Sequence, residues 1–519
     1  MKSMCTSESP RSKTYRVWLA AALAPVLFGF IPPATAQTAW TNFAKSVHHD
    51  AESNTGSQAL NVIHWQTPVD LHPSGAARHP DVQSNGGGEL LIHYGTPLIT
   101  AANTVIVPVK TGASGGFRVE AHDAASGALV WSAPTDYILP PTDAWTPVFG
   151  PALTAKRLYY PAAGGTLLFR DSPDAASAAK GRLAFYGLAN YQANPTGFSD
   201  TVYINTPLTA DENGDVYFGF VVNATPPLAG LTSGIARIGA GGQAIWTPVT
   251  TAASDSTMTE VPFNCAPALS SDGKTLYVGV SNGGAGYLVA LNSSTLAPLA
   301  RVRLIDPESG EDAALTDNSS ASPTTGRDGD VYYGVLENPY GENHDRGWLL
   351  HFNADLSQTM TPGAFGWDET ASVVPSSMVP SYTGASAYLL MTKYNNYADV
   401  GGNGENKIAI LDPNATETDP ITGVTVMNEV LTILGPTPNP PLQGVKEWCI
   451  NSAAVDVAGK SIMANSEDGN LYRWDLTTNT LSQKVGLTAG IGEAYTPTVI
   501  GVDGTVYAIN DAILFAVGN

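Results

Sequence analysis

The sequence predicts an all-β protein, a single eight-bladed β-propeller whose blades each have four strands. Three observations predict it: a composition suited to turns and short strands, a hairpin pattern that recurs eight times, and a spacing of about 57 residues between copies. Gly 52, Pro 37 and Tyr 21, with charged residues at only 14%, favour strands and tight turns over helices with ion-paired surfaces.

Composition also limits the partners. Lys and Arg total 25 against 46 Asp and Glu, so the chain of 519 residues has a net charge of −21. A chain this acidic cannot neutralise the phosphates of a nucleic acid, so nucleic-acid binding is excluded. Hydrophobic residues make up 43% of the chain, which excludes disorder. We expect a monomer.

The first 36 residues have the pattern of a signal peptide. Basic residues precede an apolar run at residues 17–31, and the small residues at 34–36 suit signal peptidase, so cleavage is expected before Gln37. The run is interrupted by Pro25 and is too short to cross a bilayer. We therefore expect export to the periplasm or the cell exterior, without membrane insertion after cleavage.

The repeat consists of a Pro or small residue, a short strand, a turn, and a second strand that usually contains Tyr. One residue of each copy serves as an anchor, from Pro97 in the first copy to Pro497 in the eighth. The copies are TPLITAANTVIVPV from Thr96, GPALTAKRLYYP from Gly150, TPLTADENGDVYFGF from Thr206, APALSSDGKTLYVGV from Ala266, SPTTGRDGDVYYGV from Ser322, VPSYTGASAYLLM from Val379, SAAVDVAGKSIMAN from Ser452 and TPTVIGVDGTVYAIN from Thr496.

Each copy supplies the two inner strands of a blade, and the residues that follow supply the outer strands. Runs such as GYLVALN and NLYRWDL predict third strands, and runs that end at Trp131 and Trp246 predict fourth strands. Turns such as Asp328-Gly329 and Asp503-Gly504 lie where a hairpin requires positive φ, which explains them without a calcium loop.

The ends of the chain predict how the ring closes. Only 22 residues follow Pro497, too few for a blade, whereas ALNVIHW at residues 59–65 has the alternation of a strand. We therefore divide the exported chain into a polar segment at 37–58 and a propeller at 59–519, with 59–65 completing the last blade. Deletion of residues 37–65 should prevent folding. We interpret His48-His49-Asp50 as part of a solvated tail rather than as a metal site, so trimming of residues 37–49 should have a mild effect on folding.

The cysteines are expected to be unpaired. Cys5 leaves with the signal peptide, and Cys265 and Cys449 precede anchors that are three blades apart. That separation exceeds the roughly 7 Å between Cα atoms that a disulfide permits.

Residues 121–131, AHDAASGALVW, resemble the A-x-D-x-x-T-G-x-x-x-W repeat of pyrroloquinoline-quinone-type propellers, with Ser126 in place of Thr. The resemblance implies an eight-bladed fold like that of the quinoprotein alcohol dehydrogenases, and it implies pyrroloquinoline quinone and Ca²⁺ as cofactors of any enzyme of this kind. This sequence lacks three features of those enzymes: the vicinal cysteine pair, the W-D-Y-D segment and the C-x-x-C-H haem motif. The segment most similar to W-D-Y-D is RWDL at 473–476. The family also includes repeat proteins that bind no quinone.

Candidate site residues lie in the loops that lead into the innermost strands, because these loops converge on the mouth of the central channel. We call them lead-in loops. Carboxylates aimed at one axis would attract a cation or an oxygen-rich ligand, or else the polar groups hydrogen-bond neighbouring blades and water. The predicted ligand-binding residues are Trp145, Asn205, Asp317, Asn318, Glu369, Glu447, Trp448, Asn451, Glu493 and Tyr495, and Glu447, Asn451, Glu493 and Asp317 are the candidate Ca²⁺ ligands.

Two classes of function follow. The first is an exported propeller that binds a small polar ligand, a glycan or a protein segment at the channel mouth. The second is an alcohol or sugar dehydrogenase with a quinone and Ca²⁺ at that mouth, in which Trp448 or Trp145 stacks on the quinone and Asp317 or Glu447 acts as the base. No hydrolase elbow or phosphate loop occurs in the sequence, so no catalytic residue is assigned.

Overall fold

Eight small sheets, arranged as the blades of a propeller, account for nearly all of the fold. The eight-bladed all-β architecture predicted from the repeats is confirmed. The structure is a computed structural model that describes residues 39–73, 94–113, 115–141, 149–315, 321–490 and 495–519.

In the first four blades the chain runs from the channel outward through antiparallel strands. The strands are, from inside to outside, Leu98–Ile99, Thr104–Gly112, Gly115–Asp123 and Leu129–Thr135 in blade 1; Ala152–Leu153, Arg157–Ala162, Thr166–Asp171 and Lys180–Ala184 in blade 2; Thr209–Ala210, Val216–Val222, Gly234–Ile238 and Ala244–Pro248 in blade 3, where Val202–Ile204 also pairs with the second strand; and Ala268–Leu269, Thr275–Ser281, Gly286–Asn292 and Pro298–Arg303 in blade 4.

The other four blades follow the same plan with local departures. Blade 5 has three strands, and isolated bridges from Leu349 to Gly363 and from Phe352 to Thr359 take the place of the fourth. The strands are Thr324–Thr325, Val331–Val335 and Trp348–Phe352 in blade 5; Ser372–Pro375, Tyr388–Tyr394, Lys407–Thr418 and Thr425–Leu434 in blade 6; Ala454–Asp456, Ser461–Asn465, Asn470–Asp475 and Thr480–Gly486 in blade 7; and Val499–Ile500, Val506–Asn510, Ile513–Gly518 and Val62–Pro68 in blade 8.

Helices are few and short. Among the described residues, none is long and apolar enough to span a membrane. The α-helices are Leu188–Ala193, Pro195–Ser199 and Val249–Ala252, and the 3₁₀ turns are Ala163–Gly165, Ser376–Met378 and Ala398–Val400.

The last blade closes as predicted. Val62–Pro68 pairs antiparallel with Ile513–Gly518, and Val62 lies opposite Gly518 at one end of the ladder while Pro68 lies opposite Ile513 at the other. An early strand and the last strand of the chain therefore share one sheet, which leaves no open edge between the first and last blades.

The sixth copy of the repeat is placed differently from the prediction. Its innermost strand is Ser372–Pro375 and not the segment around Pro380. Residues 376–387 form a longer connection, in which the hydroxyls of Tyr382 and Ser386 each donate to Asp412, both at 2.6 Å. The Val379-Pro380 pair in this connection has the sequence pattern of a repeat start, and the prediction therefore placed the innermost strand there.

The segment at residues 40–53 lies inside the ring, at the channel end opposite the lead-in loops. We call it the N-terminal belt. It passes the innermost strands in blade order, from Trp40 beside Ile99 of blade 1 to Glu52–Ser53, which pairs in parallel with Ala454–Asp456 of blade 7. Because each innermost strand would otherwise have an unpaired edge toward the channel, the belt satisfies backbone groups that no blade can satisfy alone.

The solvated-tail interpretation of His48-His49-Asp50 is therefore wrong. His49 is fully buried, and its Nδ1 lies 2.7 Å from the carbonyl oxygen of Pro323. The expectation that trimming 37–49 is mild had rested on a solvated tail and loses its basis. Polar residues in this stretch form hydrogen bonds at the channel end rather than with solvent, and composition alone does not reveal this.

The core fills the spaces between neighbouring blades. The hydroxyl of Tyr332 in blade 5 lies 2.6 Å from that of Tyr388 in blade 6, so second strands are joined across blades. Cys265 and Cys449 are both buried, and the prediction that they do not form a disulfide with each other is confirmed. Cys5 lies outside the described residues.

Candidate functional site

The channel contains a cavity on the side of the lead-in loops. Its enclosed volume is about 20 Å³, which is room for about one water, and the empty volume reaches about 410 Å³ when the open solvent at its mouth is included. The walls come from the lead-in segments of several blades and the belt contributes Phe43. The lining residues are Phe43, Tyr94, Gly95, Thr96, Phe149, Gly150, Pro151, Pro207, Asn264, Asn451, Tyr495 and Pro497.

Close approach of neighbouring lead-in segments shapes the wall. A Cβ atom on Gly95 would lie 2.2 Å from the carbonyl oxygen of Phe149, and one on Gly150 would lie 2.7 Å from Cβ of Pro207. Only glycine fits at these two positions. The aromatic rings and prolines can therefore approach one another around the axis, and the wall is largely apolar.

Three polar side chains face this apolar wall. Thr96 and Asn264 are each at least nine-tenths buried, and the Thr96 hydroxyl and the Asn264 Nδ2 have no partner among the described residues. Asn451 donates from Nδ2 to the backbone oxygen of Asp368 at 3.1 Å. Among the described residues that line the cavity, none is charged. This described lining offers hydrogen bonds and ring faces to a ligand.

Asn264 owes its position to an unusual backbone. Its φ is +61°, and its backbone N–H donates to the carbonyl oxygen of Asn205 at 3.0 Å. Asn is one of the few residues that adopts this left-handed conformation readily. The side chain of Asn205 is itself used between blades, since its Nδ2 donates to the carbonyl oxygen of Val261 at 2.6 Å.

A buried ion pair lies behind one wall of the cavity. Nζ of Lys393 contacts the carboxylate of Asp368, and both side chains are at most 1% exposed. Tyr495 joins this pair to the cavity: it lines the cavity, its ring centroid is 5.3 Å from Lys393 Nζ, and its hydroxyl bonds to Asp368. Burial, the largest single effect, lowers the pKa of Lys393, but Asp368, Cys449 and Glu369 together outweigh it and raise that pKa, so the lysine remains an ammonium ion.

Glu369 is fully enclosed beside this pair. Its carboxylate accepts hydrogen bonds from the Thr392 hydroxyl at 2.8 Å and from the backbone N–H of Lys393 at 2.7 Å. Burial raises the pKa of Glu369 to about 8, although nearby Lys393 opposes the shift. The side chain anchors residues 392–393 and does not line the cavity.

Glu447 lies in a second polar cluster, with Cys449 and Glu467. Sγ of Cys449 lies 3.6 Å from Glu447 Oε2 and 3.5 Å from Glu467 Oε2, and Lys446 Nζ is 3.9 Å from Glu467. The three potential ligand atoms lie within 4.8 Å of one another. Nothing in this arrangement besides the cluster itself points to a metal.

Trp448 is turned into the interface between blades 6 and 7. The residue is fully buried, its ring centroid is 5.5 Å from that of Tyr472, and its backbone N–H donates to Asn395 Oδ1 at 3.2 Å. The ring packs in an apolar cluster with residues such as Ile450, and Trp448 does not line the cavity.

Among the predicted site residues, the structure brings Asn451 and Tyr495 together at the cavity. The other described ones do not line it: Asn205, Glu369 and Trp448 are buried and Glu447 is half-buried, all in contacts within and between blades. Trp145, Asp317, Asn318 and Glu493 lie outside the described residues, and their roles remain predictions.

Sequence reasoning missed Lys393 and Phe43. Lys393 stands near the end of the otherwise apolar strand Tyr388–Tyr394, and a lysine within such a run is a signal that could have been used. No local signal marks Phe43, because its place at the cavity depends on the path of the whole belt.

Comparison with known proteins gives the fold and no more. No family model matches the sequence, and no curated protein matches it. Among solved structures, a europium-containing methanol dehydrogenase is similar with a TM-score of 0.54 and 12% identity over 91% of this chain and 89% of that chain. A quinohemoprotein alcohol dehydrogenase from Comamonas testosteroni gives a TM-score of 0.50 and 12% identity over 93% of this chain and 77% of that chain. The likeness lies in the propeller.

These neighbours raise the question of whether the described residues suit a quinone with calcium. Pyrroloquinoline quinone carries three carboxylates, and Ca²⁺ takes six to eight oxygen ligands that usually include carboxylates. The lining residues carry no charge, and Lys393, behind the wall, is already paired with Asp368. Of the candidate calcium ligands, Glu447 and Asn451 are directed to different partners. Within its described part, the site does not fit this cofactor pair.

Proposed function

We propose that the protein is an exported propeller that binds an uncharged small molecule in the channel cavity. The observation that carries this proposal is the lining of the cavity: aromatic and proline walls, with buried hydroxyl and amide groups at Thr96 and Asn264 that have no partner among the described residues. A ligand that meets these groups removes the cost of leaving them unpaired.

The chemistry of the lining narrows the ligand class. Tyr94, Phe149, Tyr495 and Phe43 offer ring faces, and the polar groups are neutral. A molecule with a ring and a few hydroxyl or carbonyl groups, such as a monosaccharide or a cyclic alcohol, matches the chemistry of this lining. The enclosed volume of about 20 Å³ admits only an edge of such a molecule, so the rest of it would occupy the open mouth. A charged ligand would lose its hydration and find no counter-ion among the described residues of the lining.

Export is part of the proposal because of the sequence of the first 36 residues, with its basic start, apolar run and small residues before Gln37. A ligand site on an exported protein meets small molecules outside the cytoplasm.

A quinone-dependent dehydrogenase is the second candidate. It is favoured by the buried Asp368–Lys393 pair, which Tyr495 connects to the cavity, because perturbed buried pairs beside a cavity are common at reaction centres. The mismatch between the described lining and a tricarboxylate quinone with calcium places it second.

A thermal-shift panel distinguishes the two. The purified protein is heated with neutral monosaccharides, cyclic and aromatic alcohols, their charged analogues, and pyrroloquinoline quinone with Ca²⁺. Neutral ring compounds should raise the melting temperature and their charged analogues should not. Stabilisation by the quinone and Ca²⁺ alone, with alcohol-dependent reduction of an artificial electron acceptor, would replace the binding proposal with the dehydrogenase.

A further inference from the structure

We propose that the N-terminal belt, residues 40–53, is a gate on the channel: it leaves the channel end as a unit while the eight blades remain folded. When docked, it closes that end of the channel. When released, it converts a cavity with one closed end into a passage.

Trp40 exchanges two backbone bonds with Ile99, and from Thr41 to Ala51 the belt is held by single backbone contacts to successive blades rather than by a ladder within one sheet. Side chains of Asn42, His48 and His49 add bonds to the same strands or the residues beside them. Amides of the innermost strands donate to carbonyl oxygens of the belt, one after another around the ring. These bonds run from Leu153 to Thr41 at 2.8 Å, Leu269 to Val47 at 2.8 Å, Thr325 to His48 at 3.0 Å, Val373 to Asp50 at 2.9 Å and Val455 to Ala51 at 3.0 Å. Because no belt residue is part of a blade's own strand order apart from the edge pairing of Glu52–Ser53, the belt can leave without breaking a blade.

The docked belt carries strain along its backbone. Ala44, Lys45, His49 and Ala51 have φ values of +42°, +80°, +59° and +54°, a conformation that side chains other than Gly and Asn rarely adopt. Within a stretch of eight residues, this strain opposes the hydrogen bonds that hold the belt.

Two buried polar atoms add to the cost of docking. Nε1 of Trp40 and Nε2 of His49 are enclosed and have no hydrogen-bond partner among the described residues. Release of the belt would return both to water. Strain and desolvation are thus concentrated in the belt, whereas the blades hold regular ladders, so the belt should open at a lower free energy than the blades.

One end of the gate is fixed. Beyond Ser53 the chain is bonded to blades 7 and 8. Arg473 Nη2 donates to the carbonyl oxygen of Gln58 at 2.6 Å, and the backbone N–H of Gln58 donates to the carbonyl oxygen of Gly504 at 2.8 Å. These contacts hold residues near 58 in place, so release would begin at the Trp40 end and stop before Gln58.

The gate and the cavity share Phe43. This residue lines the cavity, packs against Ala266 of blade 4, and lies with its ring centroid 5.3 Å from that of His49. Release of the belt would remove that part of the wall. Control of ligand access by the gate rests on the proposed function, whereas the gate itself can be tested without any ligand.

Hydrogen exchange tests the gate in the intact protein. Exchange is followed by mass spectrometry with residue-level fragmentation over a series of low urea concentrations. The amides of Leu153, Leu269, Thr325, Val373 and Val455 should exchange through one shared opening that depends weakly on urea. Amides inside second strands, such as Val278, should exchange more slowly and with a steep dependence on urea.

A matched pair of variants sharpens the result. Asn42 in the belt bonds through its side chain to both backbone groups of Ala210, at 2.7 and 3.1 Å, whereas Asn54 just beyond the belt is exposed. Asn42→Ala should speed exchange of the belt-linked amides by about tenfold and leave that of Val278 unchanged. Asn54→Ala should change neither.

The proposal is overturned if the belt-linked amides exchange only with the global unfolding of the blades, with the same urea dependence as Val278. The wild-type urea series decides this even if Asn42→Ala fails to fold. Because no ligand is used, failure of the gate would leave the proposed ligand site untouched, and failure of the thermal-shift panel would leave the gate untouched.

Discussion

Acidification should destabilise the protein through His49. Its ring is fully buried in the belt, with Nδ1 2.7 Å from the Pro323 carbonyl oxygen. Burial, opposed by the bond to Pro323 and aided by neighbouring His48, lowers the pKa of His49 from 6.5 to about 4. Above pH 6.5 the ring is neutral in both states, so the shift has no effect. As the pH falls below 6.5, His49 takes up a proton in the unfolded chain but not in the folded protein. Stability is therefore lost until the pH reaches about 4, where the folded protein also binds this proton.

The size of the effect follows from the shift. A full loss between these pKa values corresponds to about 3 kcal/mol, and at pH 4.5 the loss is about 2 to 3 kcal/mol. His49→Asn is the matching variant, because Asn tolerates the φ of +59° and retains an N–H donor at the side-chain position nearest Pro323.

Urea unfolding of the wild type and of His49→Asn at pH 7.5 and pH 4.5 measures the effect. Other groups that titrate in this range cancel in the comparison. The wild type should lose about 2 to 3 kcal/mol more than the variant between the two pH values. Equal losses in the two proteins would refute the account, since the ring would then be accessible to protons and not sealed in the channel end.

Two further predictions concern the buried groups behind the cavity. The pKa of Glu369 in the folded protein is raised to about 8, so its carboxyl group loses its proton between pH 6 and pH 9. In urea unfolding, the wild type should therefore lose about 2 to 3 kcal/mol of stability over this range relative to Glu369→Gln. Parallel pH profiles of the two proteins would contradict this. Lys393→Met should cost about 3 to 5 kcal/mol because it leaves Asp368 buried without its cation, and the double variant with Asp368→Asn should recover most of that loss in a double-mutant cycle. Additive losses would show that the two groups do not interact.

The fold could be predicted because its signals are local and repeated. Each hairpin carries its own turn residues, so Gly329 and Gly504 take the positive φ that their turns require, at +98° and +86°. Ring closure followed from a count of residues, since a short final blade needs a strand from elsewhere. The sixth copy was misplaced because a Val-Pro pair in a longer connection resembled a repeat start.

The site was less predictable because it depends on where distant segments meet. Asn451 and Tyr495 could be selected from their positions in lead-in loops, but whether a loop residue turns toward the axis or between blades is decided by packing. Glu369 turned inward to hold residues 392–393, and Trp448 turned into the interface of blades 6 and 7. The belt was missed because its polar composition reads as a tail, whereas its hydrogen bonds go to seven blades in turn.

The cavity is proposed to bind a neutral ligand through buried groups that have no partner among the described residues of the free protein. Thr96 and Thr498 allow a matched test, because both hydroxyls are buried without a partner among the described residues but only Thr96 lines the cavity. Replacement by Val removes each hydroxyl at nearly constant volume and should leave stability unchanged or slightly higher.

Calorimetric titration with the neutral compound that gives the largest thermal shift measures the difference. Thr96→Val should bind that compound about fivefold more weakly than the wild type, the equivalent of one hydrogen bond of about 1 kcal/mol, while Thr498→Val should bind it as the wild type does. Equal affinity in all three proteins, or an equal loss in both variants, would contradict the account.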